Sequence, residues 1–270
     1  MSRKLVIHIG AQKCASSSLQ ASLDLLAEAV KDDFVFCHLK PELLRMANQA
    51  LDRNEDSAFN YLDEVLAFQA SSQVVISHEM LGNRPGLVSA IAGRALVKHD
   101  FDCVVISGYS RLQSSFHVSE FSQWGFRGRA KLYADRDIFL ANKLNWRKFT
   151  ALERSLFAFS LGGADRDWFT DYQALCDGVN GFLGTVSVVS RHIPTWSSPY
   201  ALLEHFLSST VLSIDLENLD SFDVRKNVAF HPVLIHAVSA RLVELQSQHR
   251  SFFSGPHEEN DWLFRICQSV

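Results

Sequence analysis

Apolar positions along the chain follow two alternating rhythms. Short runs rich in Val and Ile occur at residues 5–9, 74–76 and 103–106. Between them lie longer stretches with apolar residues three and four apart. The short runs read as buried strands and the longer stretches as amphipathic helices. Residues 16–30 carry Leu19, Leu23, Leu26, Ala27 and Val30 on one helical face. Further strands are expected at 34–36 and 185–189. Further helices are expected at 41–51, 57–70, 85–98, 112–124, 168–178, 199–207, 231–248 (Pro232 in its first turn) and 257–267.

Strands separated by helices require crossover connections, and such connections make a parallel sheet covered on both faces. The expected fold class is therefore α/β, a three-layer α/β/α arrangement around a central parallel sheet. Ligands of such sheets bind beyond the carboxyl ends of the strands. Chemically capable residues follow Ile9, Ile76 and Ile106, each at the end of an expected strand. No internal repeat or linker interrupts the pattern, so residues 1–270 are expected to form one domain. Residues 125–165, rich in Arg, Lys and aromatic side chains without a clear period, are expected to form a less regular acceptor-side segment.

Charge and composition narrow the function classes. The 26 Lys and Arg against 30 Asp and Glu give a net charge of −4. That balance argues against a nucleic-acid or heparin-like partner, which would favour a basic face. The apolar run near the start is too short for a secretion signal or a membrane span, and no later stretch is long enough. A cytoplasmic protein without a membrane span is expected. The five cysteines are widely spaced, odd in number and form no C-x-x-C pair. Reduced thiols fit this better than a disulfide framework or a zinc site. No metal-ligand cluster stands out, no metal is expected, and nothing in the sequence speaks to oligomeric state.

The first candidate site is Gly10-Ala11-Gln12-Lys13-Cys14-Ala15-Ser16-Ser17-Ser18. A strand, a glycine turn and a helix opening on three serines bind anions well. The first amides of the helix face the ligand, and the helix dipole favours negative charge there. Ser16, Ser17 and Ser18 add hydroxyl donors, and Lys13 adds a mobile positive charge. Cys14 lies where the dipole and Lys13 would lower its thiol pKa. The blander reading is an ordinary strand–turn–helix with serine caps. The Walker pattern G-x-x-x-x-G-K-[ST] does not fit, because Lys13 precedes the helix and no Gly-Lys-Ser triplet exists.

A second candidate follows the strand at 103–106. Arg111 stands in Tyr109-Ser110-Arg111-Leu112-Gln113, and Ser119 lies eight residues further on. Eight residues are about two helical turns, so Ser119 shares a helix face near Arg111. The guanidinium fork suits a bidentate grip on phosphate. Taken singly, each residue also reads as an ordinary surface Arg or Ser.

Together these two segments resemble the P-loop-fold sulfotransferases that use 3′-phosphoadenosine-5′-phosphosulfate (PAPS), in their bacterial, carbohydrate-type form. Gly10, Lys13, Ser16, Ser17, Leu19 and Gln20 match the family's 5′-phosphosulfate loop, and His8-Ile9 before it is typical of the bacterial branch. Arg111, Gln113, Ser119, Phe121 and Gln123 match its 3′-phosphate segment. Ala15 departs from the family's glycine, and Ser114-Ser115 from its acidic pair. The resemblance covers residues 5–20 and 103–124. It implies a P-loop nucleotide-binding fold, and a cofactor site comprising Gly10, Gln12, Lys13, Cys14, Ala15, Ser16, Ser17, Ser18, Arg111 and Ser119. Arg225, in Arg225-Lys226-Asn227, is similar to the basic residue that closes over the 3′-phosphate; a solvated charge pair is the plainer reading. The implied reaction moves a sulfuryl group from PAPS to a hydroxyl, or less readily an amine, of a glycan or small-molecule acceptor, with 3′-phosphoadenosine 5′-phosphate (PAP) as product.

In that reaction Lys13 would neutralise the leaving phosphate, and a base would take the acceptor proton. Glu79, in Val75-Ile76-Ser77-His78-Glu79, is the first candidate, and His78 competes by its more neutral pKa. Only one of two adjacent residues normally faces the cleft. His8 and His117 are further histidines of lower interest. Arg127, Arg129 and Lys131 read either as a hold on an anionic acceptor or as a solvated basic loop. The alternatives to a sulfotransferase are a P-loop metabolite kinase and a non-catalytic module that binds PAP or PAPS.

Overall fold

A computed structural model describes residues 3–10, 14–30, 34–53, 59–67, 71–110, 129–161, 186–192, 201–210 and 212–214, with positions 222, 224, 237 and 240. The chain divides into two compact units. One comprises residues 1–111 and 167–227, the other residues 112–166 and 228–270.

The first unit is an α/β fold built on five parallel strands: β1 (Lys4–His8), β2 (Phe34–His38), β3 (Gln73–Ser77), β4 (Cys103–Ser110) and β5 (Val186–His192). Their order across the sheet is β2-β3-β1-β4-β5. The helices are α1 (Ser16–Ala29), α2 (Pro41–Arg53), α3 (Asn60–Ala67), α4 (Pro85–Lys98) and, after the two helices of the second unit, α7 (Ala201–Ser209). The β1-to-β2 connection runs towards one edge of the sheet, whereas β2-to-β3, β3-to-β4 and β4-to-β5 run towards the other. Right-handed crossovers then send the first connection to the opposite face from the rest. The packing agrees. Helix α1 touches β2 and α7, whereas α2 and α3 pack on α4, which itself packs on β4.

Strand side chains alternate between these layers. Leu5, Ile7, Ile9, Val74, Ile76, Val104 and Ile106 join one apolar core with Leu44 and Ala47 of α2, Leu62 and Leu66 of α3, and Val88, Ile91 and Ala95 of α4. Val6, Val75 and Val105 occupy the alternate positions, and Leu19, Leu23 and Leu26 of α1 are fully buried. Pro85 at the first position of α4 explains why that helix begins where the sequence suggests. Strand β4 runs four residues beyond the apolar run that marks it, because its end pairs with β5 from Gly108↔Ser190 to Ser110↔His192.

An ion network ties α3 to α4. The Arg94 guanidinium donates to both Asp63 carboxylate oxygens, through Nε at 2.9 Å and through Nη2. His99 Nε2 lies 2.9 Å from Asp63 Oδ1. The hydrogen bonds from Arg94 hold the Asp63 carboxyl at about 2, well below its ordinary value. Such a carboxylate stabilises the fold above its unfolded pKa near 4, and that contribution is lost as pH falls towards 2. Asp63→Asn is expected to cost about 1–2 kcal/mol at neutral pH, part of the gain being screened by solvent. Urea unfolding at pH 7 and pH 3 checks this: the deficit should shrink at the lower pH.

The second unit contains α5 (Arg129–Ala141) and α6 (Ala151–Leu161), with a short 3₁₀ turn at Trp146–Lys148. Within the segment expected to be less regular, the described residues 129–161 are thus largely helical. A capping box starts α6: the Thr150 amide donates to Glu153 Oε2 at 2.7 Å, and the Glu153 amide to Thr150 Oγ1 at 3.2 Å. This Thr-x-x-Glu signal stands in the sequence but is obscured by the charged residues around it. Phe139 packs between Phe149 and Phe157, with ring centroids 5.2 and 4.7 Å away. Arg154 is buried beside the Trp146 ring, 5.1 Å from its centroid. Burial lowers its pKa to about 10, against the opposing pull of Asp135. The expected helices at 112–124, 168–178 and 257–267 lie outside the described residues. So does the one at 231–248, apart from Ala237 and Ala240, both helical.

Candidate anion-binding site

The carboxyl end of β1 leads into Gly10, whose φ of +33° lies in the left-handed region that favours glycine. The approach is also close. A Cβ at Gly10 would stand 3.0 Å from Ser16 Oγ and 3.2 Å from His8 Cε1. Helix α1 begins at Ser16, directly after Ala15. Ala15 takes φ 61° and ψ 15°, the left-handed conformation a glycine would adopt without strain. The chain thus places alanine where the backbone favours glycine.

The Ala15 carbonyl accepts from the amides of Ser18 and Leu19, both at 3.0 Å. The amides ahead of Ser18 precede the first intrahelical bond. No side chain caps this end of α1, and its first turn holds no acidic residue. The positive end of the helix dipole is therefore not answered by a carboxylate of its own turn. Ser16 and Cys14 are buried, whereas Ser17 and Ser18 are half-buried. Ala11, Gln12 and Lys13 lie outside the described residues.

Beneath the turn lies a row of polar side chains in an otherwise apolar sheet. In the strand register His8 pairs with Ser77 on one side and Ser107 on the other. All three are buried, His8 and Ser77 completely. His8 Nδ1 lies 2.8 Å from Ser77 Oγ, and Gln20 Nε2 donates to the same oxygen at 2.9 Å. The ring of His8 meets that of Phe206 edge-on at 5.7 Å. Burial lowers the His8 pKa to about 4. The fold must then hold a neutral imidazole where the unfolded chain would gain a proton. This part of the stability is present above pH 6.5 and lost as pH falls towards 4. Sequence reading singled out neither Ser77 nor this use of Gln20. The available signal was the polar residue closing three apolar runs: His8, Ser77 and Ser107.

The two base candidates sit at the carboxyl end of β3. His78 caps the 3₁₀ turn Glu79–Asn83, its Nδ1 accepting from the Met80 amide at 3.0 Å. That bond places the proton of a neutral ring on Nε2, so neither nitrogen can take another without loss of the cap. Burial, then the nearby His38 and Arg45, lowers its pKa further. Glu79 is half-buried and makes no hydrogen bond or ion pair among the described residues. Of the two, Glu79 is the group able to accept a proton.

The end of β4 is also fixed. Tyr109 is buried, and its hydroxyl lies 3.0 Å from His205 Nδ1 on α7. Arg111 follows the last residue of β4 directly. Arg111, Ser119 and Arg225 lie outside the described residues. The residue before Arg225, Val224, gives its amide to Ser22 Oγ of α1 at 3.0 Å. Among the described residues no group of three or more His, Cys, Asp or Glu could hold a metal ion. No helix among them is long and apolar enough to cross a membrane. Among the described residues Cys14, Cys37 and Cys103 form no disulfide.

No protein-family model matches the chain, and no characterised protein matches its sequence.

Proposed function

We propose that this chain is a sulfotransferase of P-loop type that carries a sulfuryl group from PAPS to a glycan or small-molecule hydroxyl. The observation that carries the reading is the left-handed turn at Gly10 joining the central strand to the uncapped start of α1. The amides at the start of α1 would bind an anion there, with the serines and Lys13 of the sequence adding donors. The close approach at Gly10, where a Cβ would stand 3.0 Å from Ser16 Oγ, suits a backbone wrapped around a phosphate.

PAPS would supply the activated sulfuryl group and a stable leaving phosphate. Gly10, Gln12, Lys13, Cys14, Ala15 and Ser16 to Ser18 would hold its 5′ end, while Arg111, Ser119 and Arg225 would hold the 3′-phosphate. Glu79 takes the proton of the acceptor hydroxyl as that oxygen bonds to sulfur. Lys13 neutralises the charge gathering on the phosphate oxygen as the old S–O bond breaks. Sulfated acceptor and PAP leave, and Glu79 returns its proton to water.

Titration calorimetry tests the cofactor: PAP should bind without magnesium, and ATP with magnesium should not compete. Tight magnesium–ATP binding with no response to PAP would instead identify a metabolite kinase. For the base, Glu79→Gln is expected to lower kcat by roughly 10²–10⁴-fold and leave PAP affinity unchanged. Equal loss in His78→Gln and none in Glu79→Gln would reverse the assignment.

A further inference from the structure

The His8 ring is completely buried and hydrogen-bonded through one nitrogen only. Its Nδ1 faces Ser77 Oγ, while Nε2 is buried without a hydrogen-bond partner among the described residues. The donor count around Ser77 fixes the proton. Gln20 Nε2 donates to the hydroxyl oxygen, so the hydroxyl proton is directed to His8 Nδ1, the acceptor beside it among the described residues. A neutral ring that accepts at Nδ1 carries its hydrogen on Nε2. The orphan atom is therefore an N–H donor, and leaving a buried donor unpaired costs free energy that a folded protein normally avoids. Cε1, between the two ring nitrogens, lies 3.2 Å from the position of a Cβ on Gly10, so the ring reaches the turn. Ser16 Oγ, at the start of α1, is 3.0 Å from that same point.

We propose that His8 is a buried hydrogen-bond donor of the anion site, held as the Nε2–H tautomer by Ser77 and Gln20 and reserved for an oxygen at the 5′ end of the bound nucleotide. The inference rests on the PAPS reading and adds to it a donor from the sheet, beneath the loop and the helix end. It also gives Gln20 a task. Without its N–H on Ser77, the hydroxyl could turn and let Nδ1 carry the hydrogen instead. The Nε2 position would then present a lone pair to the ligand, which repels a phosphate oxygen. Because burial keeps the ring neutral, the contribution is that of a directed hydrogen bond and not of a cation.

Nitrogen-15 spectra of histidine-labelled protein read the tautomer directly. In the free protein, His8 should show a protonated Nε2 and an unprotonated Nδ1. Addition of PAP should shift the Nε2–H proton downfield. In Gln20→Leu the tautomers should mix. His8→Phe should weaken PAP binding by roughly 10–100-fold, and His8→Gln, which keeps a donor, should recover part of it. An Nδ1–H tautomer in the free wild-type protein overturns the inference. PAP binding by calorimetry that leaves the His8 signals unmoved overturns it too, with the cofactor reading intact. Absence of PAP binding to the wild-type protein overturns the cofactor reading and, with it, the ligand assigned to His8.

Discussion

Lys13→Ala is expected to lower the turnover of PAPS by roughly 10²–10³-fold, the loss typical of removing one preorganised group that faces developing charge. The expectation follows from when the charge appears. In the bound donor the bridging oxygen shares its electrons with sulfur; as the S–O bond breaks, the phosphate gains them. A cation placed there binds the transition state better than the ground state, so its loss falls on kcat more than on KM. Lys13→Arg should recover only a part, because a planar fork does not reproduce a compact point charge on the turn. Single-turnover rates alongside PAP affinity for the three proteins check this. Equal sulfation of an acceptor by Lys13→Ala would remove the leaving-group role while leaving the nucleotide site standing.

A methyl group should cost stability at both ends of the same loop, so Gly10→Ala and Ala15→Gly are expected to act with opposite sign. Gly10→Ala forces a side chain onto a φ of +33° and into the space between Ser16 Oγ and His8 Cε1. Both neighbours are buried, so neither can swing aside cheaply. The left-handed backbone costs about 1–2 kcal/mol and the crowding about 1–3 kcal/mol. A total of roughly 2–5 kcal/mol should lower the thermal midpoint by about 4–20 °C. At Ala15 the strain is already present, at φ 61°. Ala15→Gly removes it and loses some of the benefit through the freer unfolded chain, so a net gain of about 0.5–1 kcal/mol is expected. Glycine is also a better N-cap than alanine. Thermal melts with and without PAP read both changes. A destabilised Ala15→Gly would show that the methyl group packs usefully and that the left-handed turn carries little strain.

Much of the first unit was legible from periodicity. The apolar runs at residues 5–9, 74–76 and 103–106 mark β1, β3 and β4, and the three-four spacing from residue 16 marks α1. These features depend on short-range sterics and on which face of an element is apolar, and both are written locally in the chain. Where strands end is decided elsewhere. Strand β4 extends through Gly108 and Tyr109 because β5 supplies a ladder for it. Residues 129–161 lacked a clean period because α5 and α6 bury Asp135 and Arg154, charged residues that a hydropathy pattern assigns to solvent.

The sequence alone therefore determined the α/β class and the place of the Gly10–Ser18 turn. Both follow from local geometry, and resemblance to a known loop added the candidate chemistry. The sheet order, the cap that engages His78 and the meeting of His8, Ser77 and Gln20 were decided only by the tertiary structure. Ser77 stands 69 residues from His8 and 57 from Gln20 along the chain. Each of the three is unremarkable on its own element. Only the parallel pairing of β1 with β3, and the return of α1 over that face, bring a hydroxyl, an amide and an imidazole within hydrogen-bonding distance beneath the turn.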